Sequence, residues 1–158
     1  MDNATKQEFT RRITQSNRGQ MIVVMYDICF SYLKEAEEVY AGHQMQAYKD
    51  AVKNADRVIA RLCDTLDFKY ELAGELYPLY TFCRKELMKS VYQHKTDGIE
   101  NAKKVLYNLY LGFRKAAAQD DSEPLMHNTQ QVYAGITYGK ENINENYREP
   151  DTSRGFFA

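Results

Sequence analysis

Residues 44–66 read QMQAYKDAVKNADRVIARLCDTL. Within them Tyr48, Val52, Ala55, Ile59, Leu62 and Leu66 recur at alternating steps of four and three. That spacing brings all six to one side of a 3.6-residue helix, whereas a strand would alternate in steps of two. The same rhythm occurs in three other places. Residues 97–118 carry Ile99, Ala102, Leu106, Leu109, Phe113 and Ala116, a mean step of about 3.5 that suits helices packed nearly parallel. Residues 72–93 carry Leu72, Leu76, Tyr80, Cys83, Leu87 and Val91. Residues 18–41 form the fourth segment, with Asn17 placed as an N-cap and Gly42 at the far end. The connections are short, so sequential helices should be antiparallel neighbours.

The chain therefore reads as all-α, an antiparallel four-helix bundle over 18–118. Residues 1–17 form a short N-terminal segment before it. Ser122-Glu123-Pro124 reads as the start of a short accessory helix over 119–138. From 139 to 158 the polar tail reads as disordered. Pro78 lies inside the third segment, where it removes a donor and crowds the carbonyl of Gly74; a kink, or a fresh start near Leu76, is expected.

The 158 residues suit one domain with a sizeable core, and 44% of them are apolar. No run approaches a membrane span, and residues 1–12 lack a signal-peptide core. A cytoplasmic protein without membrane insertion is expected. The formal charge is −1, from 21 basic and 22 acidic residues, a poor balance for neutralising phosphates, so nucleic acid is not an expected partner. The charge is uneven: residues 1–118 hold 18 basic and 15 acidic, residues 119–158 hold 3 and 7. Cys29, Cys63 and Cys83 show no CxxC spacing and read as buried, reduced thiols.

Catalytic signatures are missing. His43, His94 and His127 are the only histidines, and none follows a Glu by three residues as a di-iron bundle requires. No HExxH, P-loop or GxSxG occurs. Asp27, one carboxylate in an apolar run, reads as hydrogen-bonded or ion-paired. No catalytic residue, no metal ligand and no enzyme activity are expected.

What stands out is apolar excess. Eleven of the thirteen residues 21–33 are apolar, although an outer helix needs only one apolar stripe. Either this helix is covered on all sides or one face is offered to a partner. On the fourth segment Tyr107 and Tyr110 lie off the inward stripe, in a row with Lys103 and Arg114, where tyrosine suits an interface. Phe9 and Ile13, one turn apart in the polar N-terminus, could dock on the bundle or act as a removable groove plug.

Several of these segments together resemble the FliS family of flagellar secretion chaperones. The resemblance covers about residues 13–118 and lies in Met21-Ile22-Val23-Val24-Met25-Tyr26-Asp27, in Tyr32-Leu33-Lys34-Glu35-Ala36, in 55–66 closing on Leu66-Asp67, and in Leu76-Tyr77-Pro78-Leu79-Tyr80. It implies a cofactor-free antiparallel bundle that holds the C-terminal segment of flagellin. It also implies that the bundle prevents premature polymerisation and delivers flagellin to the flagellar export gate. The chain departs from the family at Asn17-Arg18-Gly19, where Ser-Pro-Glu is common, and it lacks the N-terminal tyrosine pair. Ile22, Tyr26, Tyr77, Tyr80, Tyr107 and Tyr110 are the groove candidates. A monomer or weak dimer is expected when free. The competing reading is a structural bundle that self-associates through its first helix.

Overall fold

The computed structural model describes residues 1–126. The described residues hold five helices and no strand: α1 Asn3–Thr14, α2 Arg18–Ala41, α3 Met45–Asp64, α4 Glu71–Gln93 and α5 Asp97–Ala117. Helices α2 to α5 are the expected bundle. They form a closed ring in which α2 touches α3 and α5, and α4 touches α3 and α5. The two ends of α2 follow from the sequence. Asn17 accepts from the Gln20 N–H while the Gln20 side chain reaches back to the Asn17 N–H, a reciprocal cap, and Gly42 closes the helix.

The α3 stripe is buried from Tyr48 through Leu62, facing Cys29 and Leu33 of α2 and Leu76, Tyr80, Cys83 and Leu87 of α4. On α5 Ile99, Ala102 and Leu106 complete the core. Two inward assignments fail at helix ends. Leu72 is exposed, because in the first turn of α4 it is Ala73 that takes the buried position. Ala116 is exposed and Ala117 takes its place, with its Cα 3.5 Å from where a Gly19 Cβ would sit. The cysteines are free; Cys29 and Cys83 are buried and Cys63 half-buried.

One further expectation is corrected and two are sharpened. The N-terminal segment is a helix, started by Asp2, whose carboxylate accepts from the Thr5 N–H at 2.7 Å. α4 runs as one element through Pro78, with no new start near Leu76. Gly74 and Pro78 both lie on the exposed side, so the carbonyl that loses its helical donor can bond to water. Ser122-Glu123-Pro124 does not begin a helix. Residues 119–125 cross back over the α1–α2 corner: the Asn17 amide donates to the Asp120 and Ser122 carbonyls, and the Leu125 N–H donates to the Ser16 carbonyl. Pro124 also disfavours helical backbone at Glu123. The rest of the accessory helix and the tail over 139–158 lie outside the described residues.

One end of the bundle is stapled. The Tyr40 hydroxyl donates to the His94 carbonyl and the Tyr48 hydroxyl to the Lys95 carbonyl, tying the α2–α3 corner to the α4–α5 turn. There α5 presses on α4: a Cβ on Gly98 would fall 2.2 Å from the Glu86 carbonyl oxygen. None of the described helices is long and apolar enough to cross a membrane.

Candidate functional site

The opposite end carries α2's start, α3's finish and α4's start. Ile22 of α2 lines two adjoining cavities there. One, of about 300 Å³, is walled by Leu66, Leu72, Leu76, Tyr80 and Phe113. The other, of about 550 Å³, is walled by Met21, Met25, Leu66, Phe68 and Leu125. Arg18, Thr65 and Asp67 border both. Around the mouth stand Phe68 (63% exposed), Tyr70 (70%) and Leu72 (56%). Tyr77, also exposed, meets Phe68 ring to ring at 5.8 Å. The sequence explains the shape: the α3–α4 turn, Thr65 to Tyr70, breaks the helical rhythm yet still carries Leu66, Phe68 and Tyr70.

The second concentration lies along α2 and α5. Phe30, Tyr107 and Tyr110 form an aromatic set, with Phe30 edge-on to Tyr110 at 5.5 Å and 6.4 Å from Tyr107. Tyr107 is 54% exposed and Leu111 is exposed beside it in sequence, while Tyr110 is half-buried. Lys103, at the head of this row, is ion-paired with Glu37.

The six groove candidates therefore separate into two places. Ile22, Tyr77 and Tyr80 belong to the end groove; Tyr107 and Tyr110 belong to the α2–α5 side. Tyr26 joins the two places. It is fully buried, its hydroxyl is 2.8 Å from that of Tyr80, and its ring lies 6.1 Å from Tyr110 and 5.7 Å from Phe113. Tyr26 thus offers no surface of its own, and Tyr80 (1% exposed) contributes only cavity wall. Burial holds both hydroxyls neutral: that of Tyr26 is pushed far up and that of Tyr80 to about 12.

Helix α1 lies against α2. Its Arg12 guanidinium pairs with Asp27, which also sits beside the Tyr110 hydroxyl; burial first, and that carboxylate second, raise the Tyr110 pKa. Arg12 and Gln15 of α1, Val23 and Val24 of α2, and Arg114 of α5 line a common cleft. The end of α1 is therefore seated between α2 and α5. Phe9 and Ile13 are half-buried, with Arg12 stacked over the Phe9 ring at 5.7 Å, and no α1 residue is fully buried.

With α1, α3 and α5 around it, α2 is covered. Every apolar residue of 21–33 is buried or half-buried. The surplus apolar surface is on α4 instead, where Leu72, Tyr77, Leu79, Phe82, Met88 and Tyr92 are exposed. The test applied to α2, apolar residues all round one helix, would have found it. Among the described residues no three His, Cys, Asp or Glu side chains gather as a metal site would need.

The family whose description reads flagellar protein FliS matches residues 1–120 of the chain. No curated protein matches it.

Proposed function

Since the chain belongs to the flagellar protein FliS family and is thereby a flagellar export chaperone, we propose that its client is flagellin, held by the disordered C-terminal segment. The observation that carries this reading is the end groove: two joined cavities with Phe68, Tyr70, Leu72 and Tyr77 exposed at the mouth. Each of these four leaves roughly 100 Å² for a partner to cover, and at about 25 cal/mol per Å² the four supply about 10 kcal/mol. Ordering a disordered segment costs about 2–5 kcal/mol. Lost translational and rotational freedom costs about 4–15 kcal/mol more. One groove is thus marginal, and a firm hold needs the Tyr107–Leu111 surface as well. A client that spans both must pass α1, so α1, with Phe9 and Ile13, serves as a displaceable cover over the α2–α5 furrow. Its half-buried contacts and the Arg12–Asp27 pair are weak enough to exchange for client contacts. Holding flagellin's assembly segment keeps it from polymerising in the cytoplasm until it reaches the export gate.

Self-association through α2 has no support, because that helix presents no exposed apolar residue over 21–33. The test is calorimetry of the full chain with a synthetic peptide of the flagellin C-terminal segment. A 1:1 complex with a negative heat-capacity change is expected. Leu72→Asp, at an exposed site, should weaken it at least about tenfold by placing a charge in the groove. Absence of heat at every temperature tried removes flagellin as the client.

A further inference from the structure

The outer side of α3 carries a line of cations that the fold does not use. Lys49, Lys53, Arg57 and Arg61 follow one another at steps of four, so they run along one side of the helix. Among the described residues none of them meets a carboxylate. Arg57 donates only to the Asn54 side-chain oxygen at 2.9 Å, and Lys49, Lys53 and Arg61 have no hydrogen-bond or ion-pair partner among the described residues. Two of the acids of α3 are engaged elsewhere: Asp56 holds Arg84, and Asp50 accepts from Gln46. Like charges one turn apart repel, which disfavours the helix. The helix dipole favours Arg61 in the last turn but opposes Lys49 in the second. Folding therefore gains nothing from three of the four.

Beside this line α2 and α3 enclose a groove of about 460 Å³, lined by Ile28, Tyr32 and Val58, with Arg57 and Arg61 at its exposed edge and one carboxylate, Asp64, in the lining beyond them. It shares no lining residue with the α2–α5 cleft, and only Asp64 with the end groove. We infer that this face docks an acidic amphipathic helix of a second protein. Carboxylates one turn apart on that helix answer Arg57 and Arg61, and an apolar side chain between them sits against Tyr32 and Val58. A flat anionic membrane surface would leave the groove unfilled, and a phosphate polymer has no use for its apolar lining. Because the face lies apart from the grooves assigned to flagellin, the acidic partner and the client bind the same bundle together.

The full chain, labelled with ¹⁵N, is titrated with a blocked model helix made of Glu, Leu and Ala, its Glu residues one turn apart. A second helix carries Lys in place of every Glu. The acidic helix should shift amides in 28–32 and 53–61, and its affinity should fall several-fold between about 50 and about 300 mM salt as the ion pairs are screened. Arg57→Glu with Arg61→Glu should weaken it at least roughly tenfold while lowering the melting temperature by only a few degrees, since both side chains are exposed and Arg61 alone serves the helix dipole. The inference is overturned if the Lys helix binds as well, if the shifts fall on the end groove, or if the double variant binds normally. It is overturned in favour of a membrane if phosphatidylserine vesicles, and not the acidic helix, shift the same amides.

Discussion

Removing the Tyr80 hydroxyl alone should cost more than removing both hydroxyls of the Tyr26–Tyr80 pair. The two oxygens are 2.8 Å apart, the residues that carry them are 0% and 1% exposed, and among the described residues no other partner reaches either. Taking away one leaves the other buried and unsatisfied, at about 1–3 kcal/mol, whereas taking away both removes the unmet demand along with the bond. The two single changes are not equivalent. Tyr80 lines the cavity of about 300 Å³, so after Tyr26→Phe a water can reach its hydroxyl. Tyr26 lines no such cavity, so Tyr80→Phe strands its hydroxyl. We expect losses of about 1 kcal/mol for Tyr26→Phe and about 2–3 kcal/mol for Tyr80→Phe, with the double variant near the milder single. Urea unfolding of all four proteins gives the cycle, provided the m-values agree. Strictly additive losses, or Tyr26→Phe as the costlier change, would refute the reasoning.

Two glycines should respond with opposite sign. Gly98→Ala drives a methyl into the Glu86 backbone and should cost about 1–3 kcal/mol, while Gly112→Ala, with open space around it, should stabilise by about 0.5–1 kcal/mol; thermal melts decide. Alkaline pH should unfold the protein progressively. Burial raises the Cys83 thiol to about 12 from about 9 and the Tyr80 hydroxyl to about 12 from about 10. The unfolded chain therefore loses these protons first. The stability they hold is complete below about pH 9 and drains as pH climbs towards about 12. A urea midpoint that stays level from pH 7 to about 10.5 would contradict this. Tyr107→Ala should weaken flagellin binding with little change in melting temperature, whereas Tyr110→Ala should lower both, because Tyr110 also packs on Tyr26 and Phe30.

The bundle was readable because its stripes are clean. Asn17 and Gly42 bracket α2, and the α3 residues Tyr48 to Leu62 alternate without a break. The periodicity says which side of a helix is apolar but not how that side turns against its neighbours, so Leu72 reads as inward although Ala73, next to it, is the buried residue of that turn. α1 was missed because Phe9 and Ile13 are too few to make a stripe. Its signal is the Asp2–Thr5 cap and the Glu8–Arg11 pair, local features that need no core. Tyr26 and Tyr80 read as groove candidates, yet a tyrosine is as content in a core when a second hydroxyl satisfies it. The covering of α2 is not readable without α1, and the exposed face of α4 escapes notice because six of its residues already make an acceptable stripe.

The Gly98 contact and the two tyrosine-to-carbonyl bonds lie a full helix length from the cavities around Ile22. Each long helix thus spends one half securing the architecture and the other half facing visitors. If flagellin is the client, as proposed, such a partition frees the receptive half to drift: side chains there can be exchanged to suit a different flagellin without loosening the knot that keeps the four rods together.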